Sequence, residues 1–189
     1  MRNMTKIKFV LIILLLSLGS VISAQTLGMY IEHHRFLDAS RQNILLLDYQ
    51  IPYRNMVFLA QKGAFFAELL ITVNISDQDS LIYSQTITDN VGISNRFDAG
   101  SAKKSYLNRL RFALDQGIYD VEFKALDKNS QRAFNWAFKV ETLPPEAICS
   151  DIELSSRVSA DSTAILPKFR RSGMLYQSEP SILFAKEDT

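Results

Sequence analysis

Between Asn43 and Glu141 the chain alternates apolar and polar positions with period two, the pattern of strands that bury one face. It is clearest in Ala64–Ser76. There Phe65, Ala67, Leu69, Ile71, Val73 and Ile75 are apolar, and the positions between them include Glu68, Thr72, Asn74 and Ser76. Tyr119, Val121, Phe123 and Ala125 alternate in the same way with Asp120, Glu122 and Lys124. Phe134, Trp136, Phe138 and Val140 alternate with Asn135, Lys139 and Glu141. Weaker alternation runs through 43–51 (Leu45, Leu47, Tyr49, Ile51), 55–61 (Met56, Phe58, Ala60) and 80–88 (Leu81, Tyr83, Ile87). Turn chemistry separates the runs at Pro52-Tyr53, Lys62-Gly63, Asp77-Gln78-Asp79, Asp115-Gln116-Gly117 and Asp127-Lys128-Asn129-Ser130. Residues 89–104, with Gly92 and Gly100, read as a polar connection.

The stretch Ser101–Gly117 carries two patterns. Leu107, Leu110 and Leu114 have helical spacing, with Ser101 as a cap and Gly117 as a stop. Leu110, Phe112 and Leu114 have strand spacing against Arg109, Arg111 and Ala113. The adjoining Leu114-Asp-Gln-Gly117-Ile-Tyr119 favours the strand. It has the form that leads into a sandwich strand through a tyrosine corner, in which the Tyr hydroxyl bonds back to nearby backbone. Seven strands, at 43–51, 55–61, 64–76, 80–88, 106–114, 118–126 and 133–141, then predict an all-β, immunoglobulin-like antiparallel β-sandwich over residues 25–142. Gly117 and Tyr119 are assigned structural roles at the corner, and Trp136 a structural role in the core.

Leu143-Pro144-Pro145 cannot continue a ladder, so 143–147 reads as a linker. Residues 148–189 resume the alternation with Ile152 and Leu154, and Pro167 and Pro180 interrupt the later apolar runs. This length is near the ~40 residues below which a chain rarely folds unaided. The segment is expected to be a partial second β module, or a set of strands docked on the first.

The first residues obey another logic. Arg2, Lys6 and Lys8 precede Phe9–Leu18, which has nine apolar residues in ten, and Ile22-Ser23-Ala24 places small residues before Gln25. This is the layout of a secretory signal peptide cleaved after Ala24. From Phe9 to Ala24 the apolar stretch falls short of the ~20 residues that span a bilayer, which weighs against an anchor.

Composition limits the function classes. With 47% hydrophobic and 22% charged residues, 7 Gly and 5 Pro, the chain is neither disordered nor collagen-like. Of 21 basic and 20 acidic residues, three basic ones lie in the signal segment, leaving 18 against 20, a net of −2. Such a body has no field to attract nucleic acid, and none is expected as a partner. Cys149 is alone, so an internal disulfide is excluded, and a lone Cys is most often a buried, inert thiol.

Catalytic constellations are absent. His33 and His34 are adjacent, so in extended chain they point to opposite faces and do not chelate one metal together; they read as a polar stretch before the first strand. Asp77 and Asp79 fit a turn better than a calcium loop. Asn74-Ile-Ser76 matches a glycosylation sequon but lies within a strong strand. Lys103-Lys104 and Lys168-Phe-Arg-Arg171 read as solvated faces. No catalytic, metal or cofactor-binding residue is assigned, and no cofactor is expected.

Short segments resemble the N-terminal part of bacterial GWxTD-domain proteins. They are Leu47-Asp-Tyr-Gln-Ile-Pro-Tyr53, Phe65-Phe-Ala67, Leu114–Tyr119 with Val121 and Phe123, and Ser150-Asp-Ile-Glu-Leu154. The Gly-Trp-x-Thr-Asp motif itself belongs to a later region of such proteins and does not occur here. The resemblance spans about residues 30–189 and implies an exported, multi-module protein without transferable functional residues. Together these readings predict an exported, non-enzymatic β-sandwich that binds an unidentified protein partner in the cell envelope or outside the cell. A carbohydrate-binding accessory module, using aromatics such as Tyr83 or Trp136, is the alternative.

Overall fold

The computed structural model describes residues 26–78, 80–160, 166–171, 173–178 and 180–181; the segment expected to be a signal peptide and Asp79 lie outside the described residues. Its strands are β1 (Tyr30–Leu37), β2 (Asn43–Pro52), β3 (Leu59–Gln61), β4 (Ala64–Asp77), β5 (Ser80–Ile93), β6 (Ser105–Leu114), β7 (Ile118–Asp127), β8 (Arg132–Glu141), β9 (Ser155–Ala160), β10 (Arg170–Arg171) and β11 (Met174–Ser178). Every pairing between them is antiparallel.

The fold is an all-β antiparallel sandwich. One sheet has the order β1-β2-β6; the other runs β5-β4-β7-β8, with β3 beside the start of β4. β6 lies in the first sheet, and β7 and β8 form a hairpin in the second, the crossing that a tyrosine corner makes in immunoglobulin-like sandwiches. The described residues hold seven strands of eight or more residues, but not the seven read from the sequence. The 55–61 run contributes only the three residues of β3, and the polar stretch holding His33 and His34 is β1. β5 continues to Ile93, five residues beyond its expected end. Ser101–Gly117 contains strand β6 and no α-helix.

Alternation explains the core. Leu45, Leu47, Tyr49 and Ile51 of β2 and Leu110, Phe112 and Leu114 of β6 face Leu69, Ile71, Val73 and Ile75 of β4 and Tyr119, Val121, Phe123 and Ala125 of β7. Each fully buried large side chain contributes about 1.5–3 kcal/mol. Lys62 and Gly63 both have positive φ (50° and 85°), which a two-residue β3–β4 turn of the primed type requires.

Two sheet edges are closed by neighbouring chain. Leu27 N–H donates to the Ala133 carbonyl at 2.9 Å on the rim of β8. Along β1, Arg35 N–H donates to Asp151 Oδ2 (2.7 Å) and Asp151 N–H to the Arg35 carbonyl (3.0 Å). The Arg35 guanidinium also clasps Asp151 through both oxygens at 2.9 Å. Burial alone would raise the Asp151 carboxyl, but these bonds hold it below its ordinary value. Asp151 belongs to the C-terminal segment, whose own small sheet has the order β10-β11-β9.

Candidate functional site

The outer face of the β1-β2-β6 sheet carries the most unusual chemistry. Successive residues of a strand point to opposite faces, so Ile44, Leu46 and Asp48 of β2 and Arg109 and Arg111 of β6 point away from the core. Ile44, Leu46, Asp48 and Arg109 are nevertheless buried. The C-terminal segment passes over this face, placing Glu153 and Phe169 against Arg109.

Arg109 organises that layer. Nε donates to Asp48 Oδ1 and Nη2 to Asp48 Oδ2, both at 2.6 Å, while Nη2 also donates to Glu153 Oε1 at 2.7 Å. Its guanidinium lies 4.4 Å from the centre of the Phe169 ring, which is itself buried. Burial opposes the charge of Arg109, but the bonds to Asp48 and Glu153 more than offset it and keep the guanidinium firmly protonated. Asp48 pairs across the ladder with Arg109, so strand register alone brings the two together. On the same face His34 Nε2 is 3.4 Å from Glu32 Oε1. Burial, opposed by His34, raises the Glu32 carboxyl above its ordinary value, and the charges of Asp48 and Glu153 add to the rise.

A second polar group sits on the inner side of β6. Tyr49 Oη donates to Asp89 Oδ2 (2.5 Å), and Asn108 Nδ2 donates to the hydroxyls of Tyr49 and Tyr106 (both 3.0 Å). Asn108 Oδ1 accepts from Lys168 Nζ at 2.9 Å. Burial, then the Asp89 charge, push both tyrosine hydroxyls well above their ordinary range, so they stay neutral donors.

Beside Arg109 lies a half-open pocket of about 540 Å³, within the range of small-molecule sites. Its apolar lining comes from Phe36, Leu37, Ile44, Leu46 and Leu110. Its charged lining is Arg109, Arg111, Lys168 and Arg170 against Asp38, with Gln85 of β5 at one side. Asp38 caps the β1–β2 turn, accepting from Ser40 and from Gln42 N–H; the Gln42 and Ser40 bonds hold its carboxyl below the ordinary value. Lys168-Phe-Arg-Arg171, read from sequence as a solvated face, thus supplies two pocket cations and one buried ring. Lone basic residues give no such signal; only the C-terminal segment folding back creates it.

The corner residues are where the L-x-x-G-x-Y pattern puts them. Tyr119 Oη donates to the Asp115 carbonyl at 3.2 Å, and the ring covers Gly117, where an added Cβ would lie 3.4 Å from it. Trp136 is half-buried and stacks on Phe138 (centroids 4.1 Å apart), and His33 stacks on Phe138 at 4.6 Å. Partial burial lowers the His33 pKa, so its ring packs as a neutral aromatic. His33 and His34 lie on opposite faces of β1. Among the described residues, no three His, Cys, Asp or Glu side chains are gathered to hold a metal ion. Asn74 of the sequon accepts from Ser84 Oγ, and Lys104 pairs with Asp98. Cys149 is exposed, unlike the buried thiol expected of a lone Cys, because the linker carries it outside both sheets.

No family model matches the chain, and no curated protein matches it. One similar solved structure is described as the X-ray structure of Northeast Structural Genomics Consortium target SoR45. It shares 11% identity over 61% of this chain and 85% of that one, with a TM-score of 0.33.

Proposed function

We propose that the protein is exported through a cleaved N-terminal segment and works as a non-enzymatic interaction module. Its partner would be a protein in the envelope or outside the cell that adds an extended segment along β5. The carrying observation is the state of that edge. β5 is fourteen residues long and, among the described residues, pairs with β4 alone. Residues 80–86 are exposed on both faces, including Leu81, Ile82 and Tyr83. Sheet edges are ordinarily blunted by Lys, Pro or a covering segment. β5 contains no Lys, Arg or Pro, and its single acid, Asp89, turns inward to Tyr49 and Asn108. The edges of β1 and β8, by contrast, each take a contact from neighbouring chain, Asp151 at Arg35 and Leu27 at Ala133. A long edge free of Lys, Arg and Pro and tipped with apolar side chains suits strand addition, in which main-chain bonds give affinity and alternate side chains give specificity. The basic start of the chain, Ile22-Ser23-Ala24 and the resemblance to GWxTD-domain proteins support the exported setting.

The test is site-specific photocrosslinking in the native envelope. A photoreactive residue at Thr86 should capture one discrete partner, and the same residue at Lys124, in the middle of the second sheet, should not. Thr88→Pro, which removes a donor from the edge, should abolish capture from Thr86. Equal capture from both positions would overturn the reading.

A further inference from the structure

We infer that the pocket on the outer face of the β1-β2-β6 sheet binds a small amphipathic anion, an apolar chain ending in a carboxylate or phosphate. The floor and the rim ask for opposite ends of one molecule. Phe36, Ile44 and Leu46, on the outer face of the sheet, line a cavity of about 540 Å³, which suits an apolar body. Around the opening stand the exposed Arg111, Lys168 and Arg170, with Asp38 the carboxylate among the described lining residues.

The charge of Arg109 is committed to Asp48 and Glu153, so it shapes the wall without serving a ligand. Lys168 is different. Its ammonium is held at 2.9 Å by the neutral amide oxygen of Asn108, which fixes its position and leaves its charge uncancelled by that bond. The lining therefore carries a net positive charge beside an apolar floor. A neutral apolar ligand would leave that rim unused, and an inorganic anion would leave the floor wet. A carboxylate or phosphate head fits bidentate contact with Arg111 and a point contact with Lys168.

The proposal does not rest on strand addition at β5, of which only Gln85 borders the pocket. Decanoate and decyl phosphate, each below its micellar concentration, are titrated into the mature full-length chain and followed by calorimetry and by amide chemical shifts. Both should bind with shifts centred on Ile44, Leu46, Arg111 and Lys168. Arg111→Gln and Lys168→Gln, both exposed and so compatible with folding, should each weaken binding about tenfold, the loss of one charge-assisted contact. Decanol, acetate and inorganic phosphate should bind at least about tenfold more weakly. Comparable affinity for decanol and decanoate, or shifts mapping elsewhere, would overturn the proposal. Sedimentation with phosphatidylglycerol vesicles without binding of the monomeric anions would equally overturn it, assigning the basic rim to a membrane surface. The shift map is read on the unaltered chain, so a variant that fails to fold cannot obscure the result.

Discussion

Replacing Arg109 with Met removes the cation that Asp48 and Glu153, both with buried side chains, share. Asp48 is 0% exposed and accepts from Arg109 through both oxygens at 2.6 Å; the Glu153 side chain is only 3% exposed. Breaking a buried pair by deleting one partner costs about 3–5 kcal/mol, because the surviving charge is left unpaired. Loss of the cation over the Phe169 ring adds up to about 2 kcal/mol where the group is desolvated. Met keeps much of the aliphatic volume, so a cavity contributes little. The expected destabilisation is about 4 kcal/mol. Against a urea dependence of about 2 kcal/mol per molar, that moves the unfolding midpoint down by about 2 M. In the double variant Asp48→Leu/Arg109→Met both partners become apolar, and at least half of the loss should return. Urea titration by tryptophan fluorescence reads all of this, Trp136 being the only Trp. A cost below about 1 kcal/mol for Arg109→Met would mean that the pair is solvated, as exposed pairs are. It would refute the docking of the C-terminal segment on this face.

Glu153→Gln keeps the Asp48 pair and should cost about 1–3 kcal/mol, with faster proteolytic cutting within 143–160 as the second readout. Glu32→Gln should raise the melting temperature at neutral pH. The Glu32 carboxyl is raised by burial, so its ionised form costs stability as pH rises from the ordinary Glu range through the raised value. The difference between variant and parent should therefore vanish in acid, and a pH-independent difference would contradict this. Tyr119→Phe removes a 3.2 Å bond to the Asp115 carbonyl and should cost about 1 kcal/mol in the same urea assay. Native protein should take up one maleimide at the exposed Cys149 without denaturant, and protection of that thiol would contradict its placement.

β4 and β7 were the most legible strands because each buries a single face: the odd positions of 65–75 and 119–125 meet the core. β1 was not. Its inner face carries His33 against Phe138 and Arg35 against Asp151, and its outer face carries His34 and Glu32, so neither side reads as apolar. β2 shows only weak alternation since it is covered on both sides; Ile44, Leu45, Leu46 and Leu47 are all buried. The distal part of β5 shows only weak alternation for the opposite reason, exposure on both faces. The corner was visible because it is a local motif of six residues. The Asp48–Arg109–Glu153 layer joins residues 61 and 44 positions apart, and no local pattern signals such a meeting. The pocket was hidden likewise, its cations coming from β6 and from the segment after Pro167.

The central claim, that β5 is an open edge reserved for a partner strand, is tested most directly by amide hydrogen exchange across residues 80–93. In the isolated protein, alternate amides bonded to β4 should be protected while those between them exchange rapidly. In the complex captured from Thr86, the rapid set should become protected while β1 and β8 stay unchanged. A complex that forms with the rapid β5 amides still exchanging would contradict the account.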